Sequence, residues 1–94
     1  MKVHIVVIEH RHGHNHYACQ TEELANKVAQ AYVENNWKSE MRDRVGRKAL
    51  PIPKDPEVMV EKYFTHMEQR TQPEFLSIEK VEVIQRAEQV PTMF

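Results

Sequence analysis

The 94-residue chain is poor in residues that mark several classes of protein. Its single cysteine, Cys19, excludes an internal disulfide, and one thiol does not make a zinc site on its own. Two glycines and five prolines leave no room for a low-complexity linker. The apolar start at 3–8 is far too short to span a bilayer and lacks a signal-peptide cleavage pattern. We therefore expect a cytoplasmic protein with no membrane partner.

Length and charge set further bounds. A chain of this length holds one domain, over 1–94, and excludes architectures such as an α/β barrel of ~250 residues. Hydrophobic residues make up 40% and charged residues 29%, which is typical of a globular domain. The formal net charge is -1, so the molecule as a whole has no general attraction for nucleic acid or an anionic membrane.

The first twenty residues predict a β-hairpin. Residues 3–8 are β-branched and almost continuously apolar, as in a central strand or a strand covered on both faces. Gly13 lies between two strand-like runs and supplies the positive φ that a tight turn requires, with His12 and Gly13 as the central pair. We expect antiparallel strands over 2–11 and 14–20.

Two helices and a third strand follow. Thr21 is a candidate N-cap, and Asp55 followed by Pro56 is a typical helix start. The last strand alternates apolar and polar residues with a slip of phase, which indicates a bulge near Glu79 and Lys80. The expected elements are a hairpin over 2–20, a helix over 21–36, a basic loop over 37–54, a helix over 55–68 and a strand over 75–84. The order β-β-α-α-β predicts an α+β fold, a small antiparallel sheet with two helices packed on one face.

Five of the six histidines lie within the first sixteen residues, and they flank one arginine. A guanidinium between imidazoles near a glycine turn, with exposed backbone N–H groups, suits a phosphate or carboxylate. The segment 38–48 carries five basic and two acidic residues and could extend this surface. The predicted binding residues are His10, Arg11, His12, His14, His16, Arg42, Arg44, Arg47 and Lys48.

A metal site is the alternative interpretation. Imidazole is the commonest zinc ligand, and a His-x-His pair on a strand places both rings on one face. With the expected turn, Arg11 lies opposite His14, and a closed four-ligand site within the hairpin would be strained. A weaker zinc site at His10 and His12 is easier to build. The His-x-His-x-His spacing superficially resembles metallo-β-lactamase-like hydrolases, which need more ligands and a longer chain.

The motif Glu-His-Arg-His-Gly over 9–13 precedes a helix that begins Thr-Glu-Glu and ends Asn-Asn-Trp, and a strand Ile-Glu-Lys-Val-Glu-Val closes the pattern. This layout resembles a group of short uncharacterised bacterial and phage-type open reading frames, over about residues 2–84. The resemblance implies a compact accessory protein with no assigned activity, of a type that acts by occluding or sequestering something.

The sequence thus predicts a small non-enzymatic binding protein that engages an anionic ligand, such as a nucleotide or nucleic acid, or a host protein. Inhibition of a host nucleic-acid-handling or defence system would be one form of that function. Such binding weakens steeply with salt and, if histidines become charged, tightens below about pH 6.5. The alternative is a metal-binding protein, one form of which would be a metal-dependent hydrolase. The strand over 75–84 could also pair across a homodimer if it lies at a sheet edge.

Overall fold

The computed structural model of the chain describes residues 1–43 and 45–83. Its elements are β1 (Lys2–His10), β2 (Gly13–Cys19), α1 (Glu22–Glu40), α2 (Pro56–Met67) and β3 (Phe75–Glu82). This is the predicted α+β order, with three antiparallel strands in one open sheet, arranged β2-β1-β3. Arg44 in the basic loop and Ile84 at the end of the predicted last strand lie outside the described residues.

β1 is the central strand, and its two faces differ. Val6 and Ile8 are fully buried and belong to the same core cluster as the helices. Ile5 and Val7 point to the opposite face, because side chains alternate along a strand, and there they are only half-buried. The helices therefore cover one face of the sheet, and the other face is covered by no helix or strand in the described part of the chain.

The helices begin where the sequence indicates. The Thr21 hydroxyl accepts the backbone N–H of Leu24 over 3.1 Å, and the Asp55 carboxylate accepts that of Glu57 over 2.9 Å. Each bond satisfies one of the N–H groups that a helix start leaves free. The buried residues that pack the helices against the sheet are Ala25, Val33, Trp37, Met41, Met59, Tyr63, Phe64 and Met67.

The hairpin turn differs from the expected one. His10 pairs with Gly13, so Arg11 and His12 form the turn, and the expected central pair of His12 and Gly13 is wrong. His14 consequently lies opposite Glu9 rather than Arg11. The His10 ring accepts the backbone N–H of His12 at Nδ1 over 3.2 Å, and this bond supports the turn. The positive φ, +127°, falls on Gly13, which is already the first residue of β2.

Helix α1 runs to Glu40, beyond the predicted end at residue 36. Its last turn is held because Trp37 and Met41 continue the buried stripe that Val33 begins, at a spacing of one helical turn. Burial of these side chains outweighs the low helix propensity of the asparagine pair at 35–36.

β3 contains no bulge. It pairs with β1 in one register from Phe75, opposite Glu9, to Glu82, opposite Lys2. The apparent slip of phase arises because Val81 points to the open face of the sheet, where it is 39% exposed, and not toward the helices.

The predicted basic loop is partly ordered into a small turn. Arg42 and Ala49 form an isolated antiparallel bridge, and Trp37 donates its ring N–H to the Leu50 carbonyl over 2.7 Å. Neither helix of the described chain is long and apolar enough to cross a membrane.

Candidate functional site

The hairpin apex and the C-terminal half of α1 enclose a polar cleft of about 210 Å³. The residues that shape it include His10, Arg11, His12, Tyr32, Glu40 and Glu74. The cleft thus brings together residues that are far apart in the sequence, from His10 to Glu74.

A second cleft, of about 440 Å³, lies between the apex and the turn that follows α2. It shares Arg11, Glu40 and Glu74 with the first cleft and adds Arg70 and Gln72. The three shared residues therefore lie where the two clefts meet, and we call the two clefts together the apex cleft.

Glu74 forms the inner wall of the apex cleft and is 7% exposed. Its Oε1 accepts the hydroxyl of Tyr32 over 2.7 Å and that of Tyr63 over 2.8 Å. Burial, followed by the hydrogen bond to Glu74, raises the pKa of both tyrosines, so they remain neutral donors. Two donated hydrogen bonds stabilise a buried carboxylate that forms no ion pair within 1–43 and 45–83.

The second carboxylate of the cleft is neutralised by an arginine of the same chain. Arg70 Nη2 lies 3.3 Å from Glu40 Oε2, and Arg70 Nη1 donates to the Glu40 backbone carbonyl over 3.2 Å. The Glu40 side chain is only 18% exposed, so this pair is better shielded than an ordinary surface ion pair. The turn after α2 is thereby fixed to the end of α1.

Arg11 is exposed at the turn and differs from Arg70 in its partners. Its Nε donates to His12 Nε2 over 3.2 Å, and it makes no ion pair with a carboxylate among the described residues. His10 accepts at Nδ1 from the backbone of His12 and faces Asn15 Oδ1 with Nε2, at 3.1 Å. His10 Nδ1 and His12 Nε2 both act as hydrogen-bond acceptors here, so the two rings and Arg11 form one connected set of contacts at the turn.

The other predicted histidines lie on the opposite face of the sheet. His14 is opposite Glu9 and His16 is opposite Val7, both on the face that the helices leave open. His14 Nδ1 lies 3.6 Å from Glu9 Oε1. The structure thus brings together His10 and His12 with Arg11 and does not bring His14 and His16 to the same surface.

The basic residues of the loop also lie outside the apex cleft. Arg42, Arg47 and Lys48 are exposed and are not among the residues that line it. The loop is organised by Asp43, whose Oδ1 accepts the backbone N–H of Arg47 over 2.9 Å.

The alternative metal pair consists of neighbouring rings. The centroids of His10 and His12 are 6.1 Å apart and the rings meet edge to face. No group of three or more His, Cys, Asp or Glu side chains in the described part of the chain is arranged to hold a metal ion. A metal ion bound by His10 and His12 would therefore need its other ligands from water, from another molecule, from a different kind of side chain or from a residue outside that part of the chain.

Sequence reasoning missed Glu40, Arg70 and Glu74 as residues of the cleft. The bond between Tyr32 and Glu74 joins positions 42 residues apart, and no local pattern indicates such a contact. Comparison with protein-family models, with curated proteins and with solved structures finds no match to this chain.

Proposed function

We propose that this protein is a non-enzymatic binding protein that recognises an anionic group, a phosphate or a carboxylate, at Arg11. The observation that carries the proposal is the difference between the two arginines of the apex cleft. Arg70 is ion-paired with Glu40, whereas Arg11 makes no ion pair among the described residues and its Nε donates to His12. An exposed guanidinium offers a planar pair of donors to a bidentate oxyanion.

The carboxylates of the cleft leave that guanidinium free. Glu40 is paired with Arg70, and Glu74 accepts two tyrosine hydroxyls. The imidazoles of His10 and His12 stand beside Arg11 and add donors or, when protonated, positive charge. The proposed ligand is therefore an anion that approaches the apex, such as a nucleotide, a nucleic acid or an acidic surface of a partner protein.

The basic loop is a second part of this proposal. Arg42, Arg47 and Lys48 are exposed and would add long-range attraction for an anionic partner. Interference with a host nucleic-acid-handling or defence system, as a phage-type accessory protein, is one form the function would take. Its support is the resemblance over about residues 2–84, which rests on the motif at 9–13 and on the layout of the chain.

The test is a titration of a fluorescently labelled single-stranded oligonucleotide with the purified protein at several salt concentrations. We expect Arg11→Ala to weaken binding by about ten- to a hundredfold, the value of one charge-assisted contact. It should also reduce the slope of log K against log salt by about 0.7, the value for one phosphate contact on a single strand. Arg11→Lys should restore the salt slope but only part of the affinity.

The matched control is Lys27→Ala. Lys27 lies 3.8 Å from Glu23 on the exposed face of α1 and lines neither part of the apex cleft, so binding should change little. Arg47→Ala measures the contribution of the loop separately. A folded Arg11→Ala protein that binds as the wild type does, both to the oligonucleotide and to a protein partner captured from its native host, would refute the proposal.

The metal content of the purified protein distinguishes anion recognition from the alternative, a zinc site at His10 and His12. Tag-free protein is analysed for zinc, with and without His10→Ala. Stoichiometric zinc that is lost in the variant would replace anion recognition by a metal site; zinc far below one per chain, unchanged in the variant, would favour anion recognition.

A further inference from the structure

β3 is an edge strand, because β1 lies beside it on one side and no described strand lies on the other. The backbone N–H of Val83 donates to the carbonyl of Met1 over 2.8 Å, which fixes the phase of the ladder. In an antiparallel pair, residues that bond the neighbouring strand alternate with residues whose N–H and C=O point away from it. The odd-numbered residues of β3 therefore bond β1, and the even-numbered ones face the free edge.

Glu74 supports this phase independently. It has an even number, and its N–H turns away from β1 and donates to the Met67 carbonyl over 3.2 Å. The free edge therefore begins at the next even residue. The residues that present backbone groups to it are Leu76, Ile78, Lys80 and Glu82.

We propose that this edge pairs with the same edge of a second copy of this chain, antiparallel and about a two-fold axis at Ile78. An isologous contact of this kind closes on itself and yields a dimer rather than a fibre. Ile78 pairs with itself, and Leu76 pairs with Lys80 of the second copy. These pairs supply about six backbone hydrogen bonds and make one continuous six-stranded sheet.

Several two-fold registers would pair the free backbone N–H and C=O groups of the two β3 edges. Side-chain charge and the number of groups that can pair distinguish them. A centre at Glu79 or at Lys80 places like charges directly opposite each other, which is destabilising. A centre at Ser77 pairs Leu76 with Ile78 and Glu74 with Lys80. Because the Glu74 N–H already bonds Met67, only about four backbone hydrogen bonds remain, against about six for a centre at Ile78. The register centred on Ile78 places no like charges opposite each other between Phe75 and Val81. Its like-charged pair, Glu82 and Glu74 of the second copy, lies beyond the paired strand, since Glu74 precedes β3 and is buried.

The open face of the sheet supplies the side-chain complementarity. Phe75 is 40% exposed and Val81 is 39% exposed, at the two ends of the strand. In the proposed register each lies directly opposite the other across the axis, as an aromatic and a β-branched residue in a non-hydrogen-bonded pair, where side chains are closest. Ser77 lies opposite Glu79 in the same way. The strand is thus complementary to its own copy.

Cysteine pairing tests the register. Two single variants, Ser77→Cys and Glu79→Cys, are prepared in a Cys19→Ala background and oxidised separately and as a mixture. Directly opposite residues have Cα atoms about 4.5 Å apart, within disulfide range, whereas diagonal ones are about 7–8 Å apart. We expect a covalent dimer in the mixture and little in either variant alone. Equal cross-linking in all three samples, or none in any, would overturn the proposed register.

Light scattering and sedimentation test the edge itself. Lys80→Pro removes an N–H that faces the free edge and leaves the bonds to β1 intact, so the monomer should keep its fold. We expect its dimer to dissociate at a protein concentration at least on the order of tenfold higher than for the wild type.

Ala18→Pro is the matched control. The even-numbered residues of β1 bond β2, so the N–H of Ala18 points away from β1 at the other edge of the sheet. This variant should dimerise as the wild type does. A wild-type protein that is monomeric at all concentrations, or a dimer that weakens equally in both proline variants, would refute the proposal.

Discussion

Tyr63 donates its buried hydroxyl to Oε1 of Glu74 over 2.8 Å, and this bond ties the middle of α2 to the residue that precedes β3. Tyr32 of α1 donates to the same oxygen, and the two phenol rings meet edge to face with centroids 6.1 Å apart. One carboxylate oxygen therefore connects both helices to the sheet at the inner wall of the apex cleft.

Removal of the carboxylate should cost more than removal of either hydroxyl. In Glu74→Ala the fully buried hydroxyl of Tyr63 and the half-buried one of Tyr32 both lose their acceptor, and we expect a loss of about 2–3 kcal/mol in the free energy of unfolding. Tyr63→Phe leaves Glu74 bonded to Tyr32, and we expect about 1 kcal/mol. Urea denaturation measures both values.

Tyr17→Phe is the control, since Tyr17 is exposed on β2 and, within 1–43 and 45–83, its hydroxyl accepts a single hydrogen bond, from Asn15. Its effect should stay within about 0.5 kcal/mol. If Glu74→Ala is no more destabilising than Tyr17→Phe, the carboxylate does not connect the helices to the sheet as proposed.

The same contacts make the protein sensitive to alkali. Burial, with the bond to Glu74 second, raises the pKa of Tyr63 and Tyr32 above the ordinary value of about 10. The folded state thus holds these protons more tightly than the unfolded state does. The resulting stabilisation is fully present below about pH 10 and is lost as the pH rises above it.

We therefore expect the melting temperature to fall as the pH rises above about 10, and to fall less steeply in Tyr63→Phe, which has one such group fewer. Thermal unfolding followed by circular dichroism gives the comparison, and tyrosinate absorbance reports the ionisation. Identical pH profiles for the variant and the wild type would contradict the assignment.

The sequence predicts the parts of this fold that depend on local chemistry. Thr21 and Asp55 mark the helix starts because capping needs only neighbouring residues. The end of α1 is mispredicted because burial of Trp37 and Met41, a tertiary effect, decides it. The role of Glu74 could not be predicted for the same reason, since only the folded chain brings the hydroxyls of Tyr32 and Tyr63 to its carboxylate.

The histidine cluster shows the same limit within one hairpin. Moving the turn to Arg11 and His12 changes the register of the two strands. The change is one of two residues, from Arg11 to Glu9 as the partner of His14, so it leaves each side chain on the same face. In either register alternation places His14 on the open face and His10 on the helix side. The sequence correctly places a guanidinium and imidazoles at a bend, but alternation along the strands divides the histidines between two surfaces.

Trp37 links the end of α1 to the basic loop and is the basis of a third prediction. Its ring N–H donates to the Leu50 carbonyl over 2.7 Å. Trp37→Phe keeps an aromatic ring but removes the donor, and we expect a loss of about 1–3 kcal/mol in stability. Amide exchange measured by mass spectrometry should accelerate over residues 41–50 and stay unchanged in α2. Uniform acceleration over the whole chain would instead indicate global destabilisation.

The two glycines should respond differently to the same substitution. A Cβ at Gly13 or Gly46 would meet no atom within 4 Å, so any cost arises from the backbone. Gly46 has φ +72°, close to the left-handed region that asparagine tolerates, whereas Gly13 has φ +127°, well outside it. We expect Gly46→Asn to change the free energy of unfolding by about 0.5 kcal/mol or less and Gly13→Asn to lower it by about 1–3 kcal/mol, both measured by urea denaturation.

Because Gly13 follows the turn that carries Arg11, Gly13→Asn should also weaken oligonucleotide binding, while Gly46→Asn leaves it nearly unchanged. Equal costs at the two positions would mean that the backbone after the turn relaxes readily, and that Gly13 does not fix the position of Arg11.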